Sequence, residues 1–420
     1  MPQIRIDEKE VVSSSALDIT DNVVFVPVFT KSEKLSGKFK LYGNFSDFAK
    51  DFGNNNIVKY SYVEEGQPIA RSNERSYVYA YECLLNGLKV LAYGVYTADD
   101  FVDTTITVEG QPVIKPAELQ ASIVMDEVLN GDDSPLISLR DKNLYNVKFI
   151  TSGGYQSPQE AMIAAAAGRG DCLALLDLDE KVSVSNLLES SSTMVHGSIF
   201  ASCFFPWCTF NFSNEITAQN QTNSTSDYLL PGSLAYLLAY GRSVQSNANW
   251  FAASGVTRGV VPSLVAPVEE ITEAQMHKLQ GDEGTLSFYV NPIMMVGSYG
   301  YKVWGNRTTL VNSSVDSYFK YLNIRMLLCD IKKTLYEASI RSTFEPNDDV
   351  TWINFKAMCS GLLDRMTSGR GLNWYRWRRV PTKKKATIEA ILTISPIEAV
   401  ENFDLTVMLT DQDVTVTETL

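Results

Sequence analysis

Short apolar strands alternate with helices over much of the chain, and this alternation constrains the fold more than any other feature. Residues 22–29 (NVVFVPVF) and 172–179 (CLALLDLD) consist mostly of apolar residues, as buried strands do. Between such strands lies an alanine-rich helix at residues 157–170 (SPQEAMIAAAAGRG). Strands joined through helices favour parallel pairing. The pattern therefore predicts an α/β core with a mixed, largely parallel sheet.

Local signals place the ends of several of these elements. Residues 45–53 (FSDFAKDFG) predict a short helix that is capped by Asn44 or Ser46 and ends at Gly53. Residues 76–96 read as a helix, a stop at Gly87 and a strand. In contrast, residues 99–140 carry turn residues and short β runs, such as TTITVEGQPVIKP, which predict a β-rich insertion.

The C-terminal third predicts an α+β domain built on a helical hairpin. Residues 317–343 form one amphipathic helix and residues 349–367 a second. The corner between them contains FEPNDDVTW, in which Pro346 disfavours helix before it and Asn347 or Asp348 caps the next helix. We expect Phe344 and Trp352 to pack on either side of this corner.

The two ends of the chain alternate apolar and polar residues but lack partners for pairing. Residues 386–395 and 402–410 predict strands with one buried face. Residues 1–20 have too few apolar groups to fold alone, so we expect an arm there. Residues 411–420 alternate without a turn or a following partner, so a strand there must pair outside the compact fold or stay loose. The predicted division is an arm at 1–20, a first α/β unit at 21–98, a β-rich insertion at 99–145, an α/β core at 146–310, a C-terminal domain at 311–410 and an arm at 411–420.

Composition narrows the classes of protein. With 420 residues and 45% hydrophobic content, the chain can fill two or three cores. We find neither a secretory signal nor an apolar run long enough to span a bilayer, and we expect a protein made in the cytosol without membrane insertion. Six scattered cysteines predict buried thiols and no disulfide framework.

The formal net charge of −13 opposes general nucleic-acid binding, yet the charge is uneven. Residues 365–385 contain eight basic residues and no acidic one, which indicates an acidic partner or a neighbouring copy. Tryptophans interleaved there could also stack bases, a weaker alternative. The candidate interface patch comprises Arg365, Arg370, Arg376, Arg378, Arg379, Lys383, Lys384 and Lys385.

Catalytic and ligand-binding readings are weak. His196 and His277 lie in no nucleophile–base motif, and His196 with Cys203 and Cys208 fits no zinc spacing. The glycine turn at residues 153–154 lacks a phosphate-binding signature, so a tight turn is the better interpretation. Asp177 and Asp179 read as a solvated strand exit rather than a metal site. We therefore expect no catalytic, cofactor or metal residues.

Several motifs in order carry a resemblance to a known family. VWGNRTT at 303–309, YLNIRMLLCDIKKTLYEASIRSTFEPNDDVTW at 321–352 and GLLDRMTSGRGL at 361–372 resemble the signature of contractile-tail sheath proteins of bacteriophages and related injection machines. Upstream segments such as FFPWCTF and LPGSLAYLLAYGRS follow the same order, so the resemblance covers roughly residues 200 to 410. The motif residues are Trp304, Gly305, Arg307, Thr308, Arg325, Phe344, Glu345, Pro346, Asn347 and Trp352.

The resemblance implies a structural subunit without a cofactor. Copies would stack as hexameric rings around a tail tube, contract to drive the tube through the host envelope, and contact tube, baseplate and tail terminator proteins. Such a subunit assembles in the host cytoplasm and resides in the virion tail. Its arms would add strands to sheets of neighbouring subunits. The arm residues are Ile4, Ile6, Phe403, Leu405, Val407, Leu409, Val414 and Val416.

Two other functions remain open at this point. An α/β hydrolase or nucleotide-binding enzyme would use the turn at Gly153 and Gly154, and another self-assembling tail component would share the arms. Tube proteins are usually smaller and richer in β-structure, which the helical C-terminal third contradicts.

Overall fold

The computed structural model describes residues 22–64, 67–108, 111–212, 227–280, 289–310, 317–381 and 387–400. The strands are β1 (Val23–Thr30), β2 (Phe39–Tyr42), β3 (Lys59–Glu64), β4 (Gln67–Asn73), β5 (Lys89–Tyr96), β6 (Phe101–Val102), β7 (Thr104–Val108), β8 (Gln111–Lys115), β9 (Phe149–Ile150), β10 (Leu173–Leu176), β11 (Ala201–Phe205), β12 (Cys208–Asn211), β13 (Asp227–Leu230), β14 (Leu264–Pro267), β15 (Asn291–Met295), β16 (Tyr301–Val303), β17 (Leu372–Val380) and β18 (Glu389–Pro396). The α-helices are α1 (Phe45–Phe52), α2 (Arg75–Leu85), α3 (Ala117–Asn130), α4 (Pro135–Ser138), α5 (Gln159–Arg169), α6 (Val184–Met194), α7 (Gly232–Ser246), α8 (Gly255–Arg258), α9 (Glu273–Leu279), α10 (Leu322–Ser342) and α11 (Asp349–Ser368). Both predicted arms lie outside the described residues.

An eight-stranded mixed sheet forms the centre of the fold. Its order is β16-β15-β11-β10-β9-β1-β5-β2. The six inner strands pair in parallel, and β2 and β16 close the two edges in antiparallel pairing. All eight residues of β1 are buried, because helices cover both faces of the sheet. The α/β core with a mixed sheet is thus confirmed.

Two apolar cores lie on opposite faces of this sheet. On one face, alternate residues of β1 such as Val24 and Val26 pack with α2 and α7. On the other, Phe25 and its neighbours pack with α3, α5 and α6. Alternation of side chains across a strand divides β1 between the two cores.

The predicted helix ends match the structure closely. Asn44 caps α1 by accepting from the amide of Asp47, and Gly53 follows the last turn. Gly170 ends α5 in a left-handed conformation (φ 71°), which glycine adopts without a steric penalty. Gly153 and Gly154 also have positive φ, and a Cβ on Gly153 would lie 2.5 Å from the carbonyl oxygen of Pro27. The tight turn is therefore a packing requirement.

The region 99–145 contains the predicted β-structure and one element that the sequence analysis did not predict. β7 and β8 form an antiparallel hairpin. They are followed by the 14-residue helix α3, whose Ala121, Met125 and Leu129 are buried against the sheet.

The C-terminal region is the predicted helical hairpin, formed by α10 and α11, with a two-stranded antiparallel sheet of β17 and β18 packed on it. Residues 317–321 are not part of α10, since a 3-10 turn precedes it. The expectation for Phe344 is wrong. Its side chain is fully exposed and its backbone is left-handed (φ 71°), because the short corner turns the ring away from both helices.

The thiols behave as the sequence predicts. All six cysteines are free and buried.

In the described ranges, no helix combines the length and apolar character needed to cross a bilayer.

Candidate assembly interface

A buried ion pair fixes the C-terminal hairpin to the central sheet. Lys148, which precedes β9, lies 3.0 Å from the carboxylate of Asp330 on α10, and both side chains are 1% exposed. Asn249 also donates to Asp330 at 2.8 Å. Burial favours the neutral amine, but the Asp330 carboxylate outweighs it, and the pKa of Lys148 is raised. One turn further on α10, Lys333 donates to the carbonyl of Val147 at 2.7 Å.

Sequence reasoning missed Lys148, Asp330 and Asn249. The only local signal was Lys333 in an otherwise apolar row of the first long helix. A charged side chain in an otherwise apolar row indicates that the buried charge has a polar partner.

The motif residues 304–309 connect the sheet edge to the start of α10. Asn291 on β15 accepts from the amide of Arg307 at 2.7 Å and donates to its carbonyl at 2.8 Å. A Cβ on Gly305 would lie within 2.6 Å of the Asn291 side chain, so only glycine fits. Thr308 donates to the carbonyl of Phe319 at 2.9 Å.

Within the same segment, Trp304 is half-buried beside the second core. The Arg307 guanidinium lies over the rings of Tyr289 (4.9 Å) and Tyr321 (5.0 Å). Arg325 is buried against Phe200. These motif residues are therefore joined in one connection between the sheet and the hairpin.

The remaining motif residues lie at the opposite end of α10, at the hairpin corner. Phe344, Glu345, Pro346 and Asn347 are exposed. Asp348 caps α11 by accepting from the amide of Thr351 at 2.9 Å. That hydrogen bond lowers the pKa of the Asp348 carboxyl. The family motif is thus split between two places in the fold.

Trp352, in the first turn of α11, begins an aromatic cluster that holds the sheet on the hairpin. Its ring stacks on Phe355 (5.9 Å between centroids) and meets Trp377 of β17 edge-on (5.8 Å). Trp352 is half-buried. Of the two aromatic residues expected to pack at the corner, only Trp352 does so.

The sheet of β17 and β18 carries three arginines of the basic patch, Arg376, Arg378 and Arg379. Trp374, Arg376 and Arg378 alternate on its outer face, with Ile391 opposite Arg378. The inner face carries Tyr375 and Trp377, which contact the hairpin. In the described ranges, no third strand pairs with either edge of this sheet.

The structure does not bring the whole patch together. Arg379 lies on the inner face and pairs with Asp349 at 2.5 Å. Arg365 is in the last turn of α11, and Arg370 is in the following turn with positive φ. Lys383, Lys384 and Lys385 lie outside the described residues. Two arginines, Arg376 and Arg378, therefore share the open face with Trp374.

The carboxyl ends of the parallel strands, where α/β enzymes place their sites, hold a closed polar network. Asp177 follows β10 and accepts from the amide (3.1 Å) and hydroxyl (2.6 Å) of Ser233. Burial raises the pKa of Asp177 to about 7. The expectation that Asp177 is a solvated strand exit is wrong, because its side chain is bound inside the core; Asp179 beside it is exposed.

A second carboxyl group in this layer is held in the same way. Glu74 caps α2 by accepting from the amides of Ser76 (2.7 Å) and Tyr77 (2.6 Å) and from the hydroxyl of Tyr155 (2.9 Å). Burial raises the pKa of Glu74 to about 7. Both carboxyl groups thus have protein partners rather than an open site.

A cleft of about 500 Å³ opens beside this layer, between the start of α5 and the strand ends. His196 lies there, 3.9 Å from Glu160, and is half exposed. Ser157, also at the cleft, accepts from the amide of Asp177 at 2.8 Å. Over the part of the chain that the structure describes, no group of three or more His, Cys, Asp or Glu side chains is arranged to bind a metal ion.

Solved structures of contractile sheaths share this fold. The sheath of an extracellular contractile injection system, PVC, in the contracted state gives a TM-score of 0.65 at 15% identity, with 99% of this chain and 98% of that chain covered. The helical sheath of the anti-feeding prophage in the contracted state gives 0.60 at 16% identity, covering 98% and 99%. A chain of the anti-feeding prophage baseplate gives 0.59 at 15% identity, covering 98% and 99%.

A sequence comparison points to the same group. The tail sheath protein of Vibrio phage KVP40 is 24% identical over 147 residues, which are 35% of this chain. The matched part spans a fifth of the phage protein's length. No protein-family model matches the chain. Part of the chain is therefore similar in sequence to a phage tail sheath protein, and its fold is that of contractile sheaths.

Proposed function

We propose that this chain is a structural subunit of a contractile tail sheath, with copies stacked as hexameric rings around a tail tube. The observation that carries the proposal is the two-stranded sheet of β17 and β18, whose two edges are unpaired in the described ranges. Exposed edges are templates for strands from another chain. The overall likeness to contracted sheaths supports the same assignment.

The arms are the proposed partners of these edges. Residues 1–20 and 411–420 alternate apolar and polar residues and lie outside the described residues. In the proposal, Ile4 and Ile6 of one neighbour and Val414 and Val416 of another extend the sheet by β-augmentation. Phe403, Leu405, Val407 and Leu409 are proposed as further linking positions toward a neighbouring copy.

Contraction in this proposal is rigid-body movement of subunits that stay linked by their arms. The buried pair of Lys148 and Asp330, together with the Asn291 bonds to Arg307, supports a hairpin and core that move as one unit. The proposed units remain 21–98, 99–145, 146–310 and 311–410. Energy would be stored in a metastable extended assembly rather than taken from a nucleotide.

The outer face of β17 is the proposed contact for the tail tube or for a neighbouring copy. Arg376 and Arg378 lie there with the half-exposed ring of Trp374. Such a face suits an acidic partner, since interfaces gain from complementary charge and from aromatic anchors. Arg365, Arg370 and Lys383 to Lys385 would extend it. Baseplate and terminator proteins are the partners proposed for the two ends of the sheath.

No catalytic role is part of the proposal. The carboxyl groups at the strand ends are bound by protein donors, and the glycine turn is closed against Pro27. The protein would act in the virion tail after assembly in the host cytoplasm.

Assembly of the purified chain tests the proposal. We expect hollow tubes by electron microscopy, and folded monomers after deletion of residues 1–15 or 411–420. Tubes that keep full stability without either arm would reject the arm mechanism. Protein that forms no tubes but melts at a higher temperature with nucleotide would instead support the enzyme alternative.

A further inference from the structure

Arg325, in the first turn of α10, is a buried cation whose donors are not used. The residue is 2% exposed. Its Nε and Nη2 atoms are inaccessible and have no hydrogen-bond partner in the described part of the chain. Buried polar groups are nearly always bonded, and a buried charge without a partner destabilises the fold. The fold itself gives no reason for these two unused donors.

The contacts that Arg325 does make are with the faces of two aromatic rings. The Cζ atom lies 4.2 Å from the ring centroid of Phe200 and 5.5 Å from that of Phe319. A ring face attracts a cation through the ring quadrupole, but it is not an acceptor of the kind that a carboxylate offers to N–H groups. In a planar guanidinium, Nε–H and one Nη2–H are parallel and match the two oxygens of a carboxylate. The unused pair is therefore the pair that binds a carboxylate side-on.

The electrostatic surroundings also favour an anion. Lys332 lies two turns further along the same face of α10. Its Nζ is 5.7 Å from the centroid of the same Phe200 ring and donates to the carbonyl of Gly170 at 3.0 Å. Burial lowers the pKa of Arg325, and the opposing contributions come from the thiols of Cys329 and Cys172 rather than from a carboxylate. Burial, and then Arg325, lowers the pKa of Lys332.

We propose that Arg325 forms the floor of a carboxylate-binding site, in which Nε and Nη2 bind both oxygens of one carboxylate and Lys332 adds a second positive charge. The carboxylate comes from outside the chain, either from an acidic side chain of a second copy or from a small carboxylate in solution. A chain with 49 acidic residues offers many such side chains to its neighbours.

The two donors are inaccessible, so binding requires movement of side chains that cover them. Of the two rings that contact the guanidinium group, Phe319 is the more exposed: it belongs to the short 3-10 turn before α10 and is 41% exposed. Lys332 is exposed as well. Rotation of an exposed ring is fast, so displacement of Phe319 by the ligand is part of the proposal.

Thermal melting of the unassembled full chain tests the site independently of the proposed sheath function. Sodium acetate is compared with sodium chloride at equal ionic strength. At an acetate concentration tenfold above its dissociation constant, we expect the melting temperature of the native chain to rise by about 1.5 °C. Arg325→Met removes this rise, and Arg325→Lys removes most of it, because lysine lacks the fork.

Two further measurements distinguish a binding site from a purely structural arginine. In chloride, Arg325→Met is expected to melt at the same temperature as the native chain or above it, since an unpaired buried charge is removed. A lower melting temperature, with no acetate effect in the native chain, overturns the proposal. Arg242→Met, at an exposed position on α7, is the matched control and keeps the full acetate shift.

Two more measurements identify where the carboxylate comes from. If Asp316→Asn, outside the described residues, responds to acetate while the native chain does not, the chain supplies its own carboxylate and the proposal is overturned. The second measurement, of tube assembly, rests on the proposed function. A second copy as source predicts that acetate and Arg325→Met each raise the critical concentration for tube formation about tenfold, whereas a free carboxylate leaves it unchanged. Both results support the site.

Discussion

The central sheet and the C-terminal sheet differ in how far the chain itself buries their faces and pairs their edges. Every residue of β1 is buried, and antiparallel strands close both edges of the eight-stranded sheet. On β17, by contrast, Trp374, Arg376 and Arg378 are exposed, and in the described ranges both edges of its sheet stay unpaired. The chain itself covers and closes the first sheet, whereas the second keeps an exposed face and, in the described ranges, two unpaired edges.

Buried charged groups are also held differently in the two regions. In the core, Asp177 and Glu74 are bonded by amides and hydroxyls of the chain. Glu82 on α2 has one unpaired carboxyl oxygen, but burial raises its pKa to about 8, so this group can stay neutral. At the junction with the hairpin, Arg325 keeps two donors unused in the described part of the chain, and a guanidinium cannot lose its charge. The hairpin side is therefore the first surface to test for assembly.

The largest effect is expected at the ion pair that joins the two regions. Asp330→Ala leaves Lys148 buried without its partner and should lower the free energy of unfolding by about 4 kcal/mol. The double variant Lys148→Met with Asp330→Leu should lose about 1 kcal/mol or less, because both charges are removed. Urea unfolding measures both. Equal losses in the two variants would mean that the pair does not join the regions as described.

A smaller effect, dependent on pH, is expected inside the core. The folded pKa of Asp177 is raised from 3.8 to about 7, so its stabilising neutral form is fully present below pH 3.8 and lost as pH rises through 7. Asp177→Asn should therefore gain stability relative to the native chain by about 3 kcal/mol between pH 4 and pH 8.

Urea unfolding at a series of pH values checks this prediction. The asparagine amide can donate to the Ser233 hydroxyl and its carbonyl can accept from the Ser233 amide, so the variant keeps the local bonds. Asp179→Asn, at an exposed position, is the matched control and should follow the native curve. Parallel curves for all three proteins would contradict the buried state of Asp177.

The aromatic cluster under the open sheet should respond less. Trp352→Ala removes a half-buried ring in contact with Phe355 and Trp377 and should cost about 2 kcal/mol, below the range for a fully buried tryptophan. Pro346→Ala at the exposed corner should cost less than about 1 kcal/mol. Chemical denaturation of both variants compares them; a greater loss for Pro346→Ala would mean that the corner, not the cluster, holds the hairpin.

The smallest effect is expected at Phe344, and its sign is reversed. Glycine relieves the left-handed backbone of this exposed residue, so Phe344→Gly should leave stability unchanged or raise it by up to about 1 kcal/mol. Phe355→Gly, in α11, is the contrasting variant and should destabilise strongly. Thermal unfolding of the unassembled chain separates them. A clear loss in Phe344→Gly would place that ring in a packed contact.

Elements with a regular periodicity could be predicted from the sequence. The amphipathic patterns of α10 and α11 and the apolar run of β1 predict the correct type and nearly correct bounds. β17 was not predicted, because the arginines that alternate with its aromatic residues conceal the period of two behind a run of charge. Nor was α3, which follows directly on turn-rich β-segments.

Contacts between distant residues could not be read in the same way. Lys148 and Asp330 are 182 positions apart, and each alone resembles an ordinary surface charge in the sequence. Phe344 reads as a core residue, but a corner of a few residues points its ring to solvent. The basic patch appears continuous in sequence, yet alternation along β17 sends Arg379 to the opposite face from Arg376 and Arg378.

By itself, the sequence determined the helices α10 and α11 and the buried strand β1, that the core is α/β, and that the thiols are buried, because these follow from local periodicity and hydrophobicity. Only the tertiary structure decided that Asp177 and Glu74 are bound internally, that Lys148 and Asp330 join the two regions, and that Arg325 keeps unused donors. The physical reason is that the burial of a polar group and its partners depend on which distant segments come into contact. The local sequence pattern does not show those contacts.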